Sequence, residues 1–119
     1  MQGTHFLIPI YIGGTLSANH QFQFQAPFDM QLVKVSAVCD NATSFILDIG
    51  IATNTDLYLD AKTVTGAADT CTEYDEDDFV DAVNPHIAAG AVFTVDVDYD
   101  GGAGNDAAGV SIVLTFTEG

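Results

Sequence analysis

Aspartate is the residue this sequence offers most freely for chemistry, and its spacing raises cation binding first. Asp96, Asp98 and Asp100 alternate ahead of Gly101, imitating a calcium loop, in which carboxylates at alternate positions and a glycine at the sixth surround one ion. The imitation fails at the twelfth position, where Ala107 stands in place of a bidentate Glu. Alternation with Val97 and Tyr99 explains the same letters as a strand with a solvated acidic face. Asp75 and Asp77, in the run Asp75-Glu76-Asp77-Asp78, are a second weak cation candidate, set against capping of a helix start. No resident metal is therefore expected. His5, His20 and His86 share no short spacing with one another or with the cysteines, as a zinc site would require. Neither a Gly-x-Ser-x-Gly elbow nor a phosphate-binding glycine loop is present, so the chain is read as a non-enzyme without a cofactor.

The elements that must position these residues are strands. Phe45, Leu47, Ile49 and Ile51 alternate with Asp48 and Gly50; Phe93, Val95, Val97 and Tyr99 alternate with Thr94, Asp96, Asp98 and Asp100; Val110, Ile112, Leu114 and Phe116 repeat the pattern. The inward sets supply the expected core. Further strands are expected at residues 5–12, 20–25, 30–39, 57–60 and 86–89, each bounded by turn residues. About eight strands at this spacing predict an all-β, antiparallel jelly-roll sandwich. One short helical connection is expected near residues 75–83, ended by Asn84-Pro85, and the glycine-rich loop 101–109 is expected to be mobile at its tip.

Composition narrows the function. Seventeen Asp and Glu face two basic residues, Lys34 and Lys62, for a formal charge of −15 over 119 residues. Phosphate neutralisation needs clustered Lys and Arg, so nucleic acid is excluded as a partner, and anionic lipid is disfavoured for the same reason. No apolar run reaches the length of a membrane span. The N-terminus has no basic region or cleavage site of a secretory signal, which predicts assembly inside a cell. Such an acid excess suits a salty medium that screens self-repulsion. Cys39 and Cys71 are too few for a disulfide scaffold; a single bridge between them is left open, as is use of the sequon Asn41-Ala42-Thr43, which reads as a polar turn.

The carboxyl-terminal third, Ala89-Gly90-Ala91-Val92-Phe93-Thr94-Val95-Asp96-Val97 followed by a Gly/Ala/Asp loop and Gly109-Val110-Ser111-Ile112-Val113-Leu114-Thr115-Phe116, resembles small jelly-roll decoration proteins of tailed-bacteriophage heads. Residues 26–37 and 45–53 are similar to the early strands of that group. The resemblance implies a homotrimer on the outside of a virion, assembled in the host cytoplasm, that cements neighbouring major capsid subunits; it supplies no catalytic residue. A carbohydrate-binding or host-attachment jelly roll is the alternative, disfavoured by the absence of Trp.

Residues 1–14 are read as an N-terminal strand or arm and 15–119 as the jelly-roll domain. In the arm, Phe6, Ile8, Ile10 and Ile12 form one apolar set and Leu7, Pro9 and Tyr11 the other. A strand apolar on both sides needs cover on both, so Phe6, Ile8, Ile10 and Tyr11 are expected to contact a neighbouring copy or the capsid.

Overall fold

A computed structural model describes residues 5–16, 18–40, 45–64, 68–99 and 107–119. Asp100, the sequon and most of the 101–109 loop lie outside them. Nine strands follow in order: β1 His5–Thr15, β2 His20–Gln25, β3 Met30–Val38, β4 Phe45–Ile51, β5 Asn54–Val64, β6 Thr72–Tyr74, β7 His86–Ile87, β8 Val92–Tyr99 and β9 Ala108–Glu118.

One sheet runs β1-β9-β3-β6, with the two-residue β7 also on β3, and the other runs β2-β8-β4-β5. Every pairing is antiparallel. With β7 set aside, the pairs β1·β9, β2·β8, β3·β6 and β4·β5 nest inside one another along the chain. The molecule is thus one long hairpin folded over itself into two sheets, the jelly-roll topology.

The alternating sets meet between the sheets. Phe45, Leu47, Ile49, Phe93, Val95, Val97, Ile112, Leu114 and Phe116 are all fully buried, while Ile51, at the end of β4, is only partly so. Phe116 of the first sheet stands 5.4 Å from Phe93 and 6.2 Å from Phe24 of the second, and stacks on Phe6 at 5.4 Å. Single-residue bulges keep the pattern in phase. The β3–β9 register shifts between Leu32 and Lys34, so Leu32 and Val35 both stay inside.

Residues 75–83 form turns and not the expected helix. Two local bonds, Asp78 N–H to the Asp75 carbonyl at 3.0 Å and Ala82 N–H to the Phe79 carbonyl at 2.9 Å, each close a single turn. The acids satisfy this backbone themselves: Asp75 N–H donates to Asp78 Oδ2 at 3.0 Å and Asp77 N–H to Asp75 Oδ1 at 3.1 Å. Side-chain bonds of this kind compete with helix propagation. Phe79 is then buried in the core, which ties the segment down where a helix would continue. Cys39 is buried, Cys71 is exposed, and no disulfide joins them.

Candidate functional site

The two sheets present opposite chemistry to the outside. β1 contains no Asp, Glu, Lys or Arg, and β9 contains only Glu118 at its end. On β3 the sole charge is Lys34, ion-paired with Glu73 of β6. Register places Leu7 beside Thr115, Pro9 beside Val113 and Tyr11 beside Ser111, and continues to Lys34, Ser36 and Val38 on β3. This outer face is uncharged over β1 and β9, and its apolar members project: Leu7 is 62% and Tyr11 66% exposed.

The expected interface residues divide between two sides of β1. Phe6, Ile8 and Ile10 face the sandwich, half-buried and packed on the core together with Ile12. Tyr11 faces out, with Leu7 as its companion. The same two-sided pattern therefore yields an inner row that the core only partly covers and an outer row that stays exposed among the described residues. Partial cover of the inner row follows from position, since β1 and β2 are the edge strands of their sheets, and Phe22 and Phe24 of β2 are likewise half-buried. Pro9 sits mid-strand on the edge, without an N–H to offer, which interrupts continuation of the sheet by an added strand. What β1 offers outward is therefore its side chains rather than an unbroken backbone edge.

The outer face of the second sheet is acidic. Asp48 lies directly opposite Asp96, with Asp98 two residues further along β8 and Asp60 on β5. Asp96 and Asp98 thus stand on an extended strand, roughly 6.6 Å apart along one face, and not in a loop. Among the described residues no group of three His, Cys, Asp or Glu is placed to hold a metal ion. Asp75 and Asp77 belong to the self-bonded turn. Asp48 acts within the fold, since its Oδ1 accepts the N–H of Ala61 at 2.6 Å, where β5 bulges with Ala61 at φ 49°. Burial pushes the Asp48 carboxyl above its usual range; the Ala61 bond opposes that, and the nearby charges of Asp98, Asp60 and Asp96 add to it.

Beside this acidic patch the start of β5 folds over β4. A Cβ on Gly50 would stand 2.7 Å from the Thr55 backbone and 2.8 Å from that of Leu57, so glycine is what lets the strap approach. Thr94, the cross-strand partner of Gly50, is fully buried. Among the described residues, Thr94 Oγ1 and Asp96 Oδ1 are buried side-chain oxygens without a hydrogen-bond partner.

A third feature was not legible in the sequence. The segment after Phe79 returns along β5, where Val80 N–H donates to the Tyr58 carbonyl at 2.9 Å, and encloses a groove of about 370 Å³. His5 and His86 are exposed and His20 is half-buried near Phe22; the fold does not bring the three together.

No protein-family model and no curated protein sequence matches the chain. Among solved structures, a chain of the cyanophage Pam1 capsid asymmetric unit is similar with a TM-score of 0.57 at 16% identity, over 99% of this chain and 87% of that one. The pre-peptidase C-terminal domain of a collagenase from Bacillus anthracis aligns with a TM-score of 0.45 at 15% identity, over 97% and 89% of the two chains. The carbohydrate-binding module CBM36, solved with calcium and xylotriose, gives 0.37 at 11% identity, over 100% and 92%. At such identities the likeness is one of fold, and the fold is a two-sheet antiparallel sandwich shared, over nearly its whole length, with a small chain of a phage capsid.

Proposed function

We propose that the protein is a virion structural component: a decoration protein seated as a homotrimer on the outer head surface of a tailed bacteriophage, where it cements neighbouring major capsid subunits. The observation that carries this reading is the uncharged outer face of β1 and β9, with Leu7 and Tyr11 exposed at 62% and 66% in a chain whose formal charge is −15. Carboxylates repel one another across an interface, and a surface that must be covered by protein is depleted of them. Concentrating the acids elsewhere leaves one face free to associate while the rest keeps the particle soluble. The match to a capsid chain of similar size supports the same class. The chain is proposed to act by binding alone, with no catalytic step, and to assemble in the host cytoplasm.

Counting copies on purified particles tests the proposal. A decoration protein is present at a stoichiometry tied to the capsid lattice and is located on the head exterior in electron micrographs. A protein found in few copies at a fibre or tail tip, and retained on a glycan array, would instead be a host-attachment module.

A further inference from the structure

The groove beside β5 has two neighbouring parts of different chemistry. Its apolar part is formed by Leu57, Tyr58, Phe79, Val80 and Val83, of which Val80 is 52% and Val83 54% exposed. Its neighbour, a depression of about 330 Å³, shares Phe79 and Val80 and adds Asp60, Asp77 and Asp78 with the single ammonium of Lys62. Asp81 lines the apolar part as well. Bulky apolar side chains are thus held out to solvent at the rim of a cluster with excess negative charge.

We propose that this surface docks a segment of another protein in which a bulky aliphatic side chain is followed closely by one or two lysines or arginines. The aliphatic group enters between Val80 and Val83 over Tyr58, and the cation reaches Asp60 and Asp77. Complementary charge fixes the register, and the apolar pocket supplies the anchor. A second copy of this chain is a poor occupant. Its two cationic side chains are Lys34, already paired with Glu73, and Lys62, which lies in the depression itself, so self-docking here would set carboxylates against carboxylates. The inference does not depend on the capsid reading, since it is drawn from a different edge of the sandwich and names its partner by chemistry alone.

Three capped synthetic nonapeptides serve as probes, titrated into the full chain labelled for amide NMR: one with two leucines flanked by three lysines, one with glutamate for lysine, and one with glycine for leucine. The lysine–leucine peptide should move the amides of residues 57–58 and 79–83. It should bind about tenfold tighter than the glutamate peptide, as two or three exposed charge contacts together provide, tighter too than the glycine peptide, which lacks the apolar anchor, and more weakly as salt is raised. Val83→Ser should weaken it, and Asp60→Asn with Asp77→Asn should remove its preference over the glutamate peptide; neither site is buried, and unchanged spectra elsewhere would verify folding. Equal binding of the glutamate peptide, shifts confined to β1 and β9, or no shift at millimolar peptide would each overturn the proposal. So would self-association that Val83→Ser abolishes, which would make a second copy the occupant.

Discussion

The two sheets share one core yet differ in what they show the solvent. On the first, β1 and β9 alternate inward Phe, Ile and Leu, half-buried on β1 and buried on β9, with Leu7, Pro9, Tyr11, Val113 and Thr115. On the second, β8 and β4 alternate buried Val, Phe and Ile with Asp96, Asp98 and Asp48. Strand formation requires only that every second residue be apolar. The other half of the letters is free to be chosen by what lies outside, and here it separates a face suited to protein contact from one suited to water.

Both faces rest on one shared core. Phe116 stacks on Phe6 within its own sheet and meets Phe93 and Phe24 of the other. Phe116→Ala should cost about 3–5 kcal/mol, read as a lower urea midpoint at unchanged slope. A small loss would mean that the sheets are held together elsewhere.

The two faces can then be set against each other directly. Leu7→Asp with Tyr11→Asp, at sites 62% and 66% exposed, should leave unfolding free energy within about 1 kcal/mol of the parent and yet abolish self-association or particle binding in sedimentation. Asp98→Asn, on the opposite face, should leave association intact. Lowering the salt should weaken association of the parent chain unless divalent cations are supplied, because each copy brings a formal charge of −15 and screening acts over about 8 Å at physiological ionic strength. Association equally tight at low and high salt would mean that the carboxylates stay out of one another's reach.

The alternation in residues 45–52, 93–100 and 110–117 made the central strands and the core readable, because period 2 with one buried face leaves no other register. The acid run at 75–78 misled, since a helix start and a self-capped turn draw on the same residues, and burial of Phe79 decides between them. β6 went unread because three residues carry too little period. For β1 the sequence revealed two apolar rows but not which row the core takes; the pairing of Ile8 with Leu114 and Leu7 with Thr115 settles that. The groove was invisible because it joins residues 57–58 to 79–86, a proximity that only the return of the chain along β5 creates.

The second sheet's outer face also holds a buried polar defect that the first lacks among the described residues. Thr94 Oγ1 is unpartnered beneath the β5 strap, and an unsatisfied buried hydroxyl costs free energy that an isosteric methyl does not. Thr94→Val should therefore stabilise the fold by about 1 kcal/mol. Gly50→Ala, one strand away, should act in the opposite direction by roughly 1–3 kcal/mol, because its Cβ meets the backbone of Thr55 and Leu57. Destabilisation by Thr94→Val would mean that the hydroxyl is bonded, for instance to an enclosed water.

The smallest expected effect concerns Asp48, whose carboxyl is raised above the ordinary 3.8 by burial first and by Asp98, Asp60 and Asp96 after the opposing Ala61 bond. A raised folded-state value means that the native protein holds this proton to higher pH than the unfolded chain. The resulting stability is fully present below the unfolded value, near 3.8, and is lost as pH rises through the raised one. Asp48→Asn keeps an oxygen to accept the Ala61 N–H and removes the repulsion from its neighbours. It should be more stable than the parent near neutrality by a few tenths of a kcal/mol, solvent screening at this partly exposed site keeping the gain small. The difference should shrink as pH is lowered through the raised value, where the parent takes up its own proton. A variant less stable at every pH would show instead that the bulge at Ala61 relies on the full charge of the carboxylate, and that the acidic face contributes to holding the strap as well as to keeping the protein in solution.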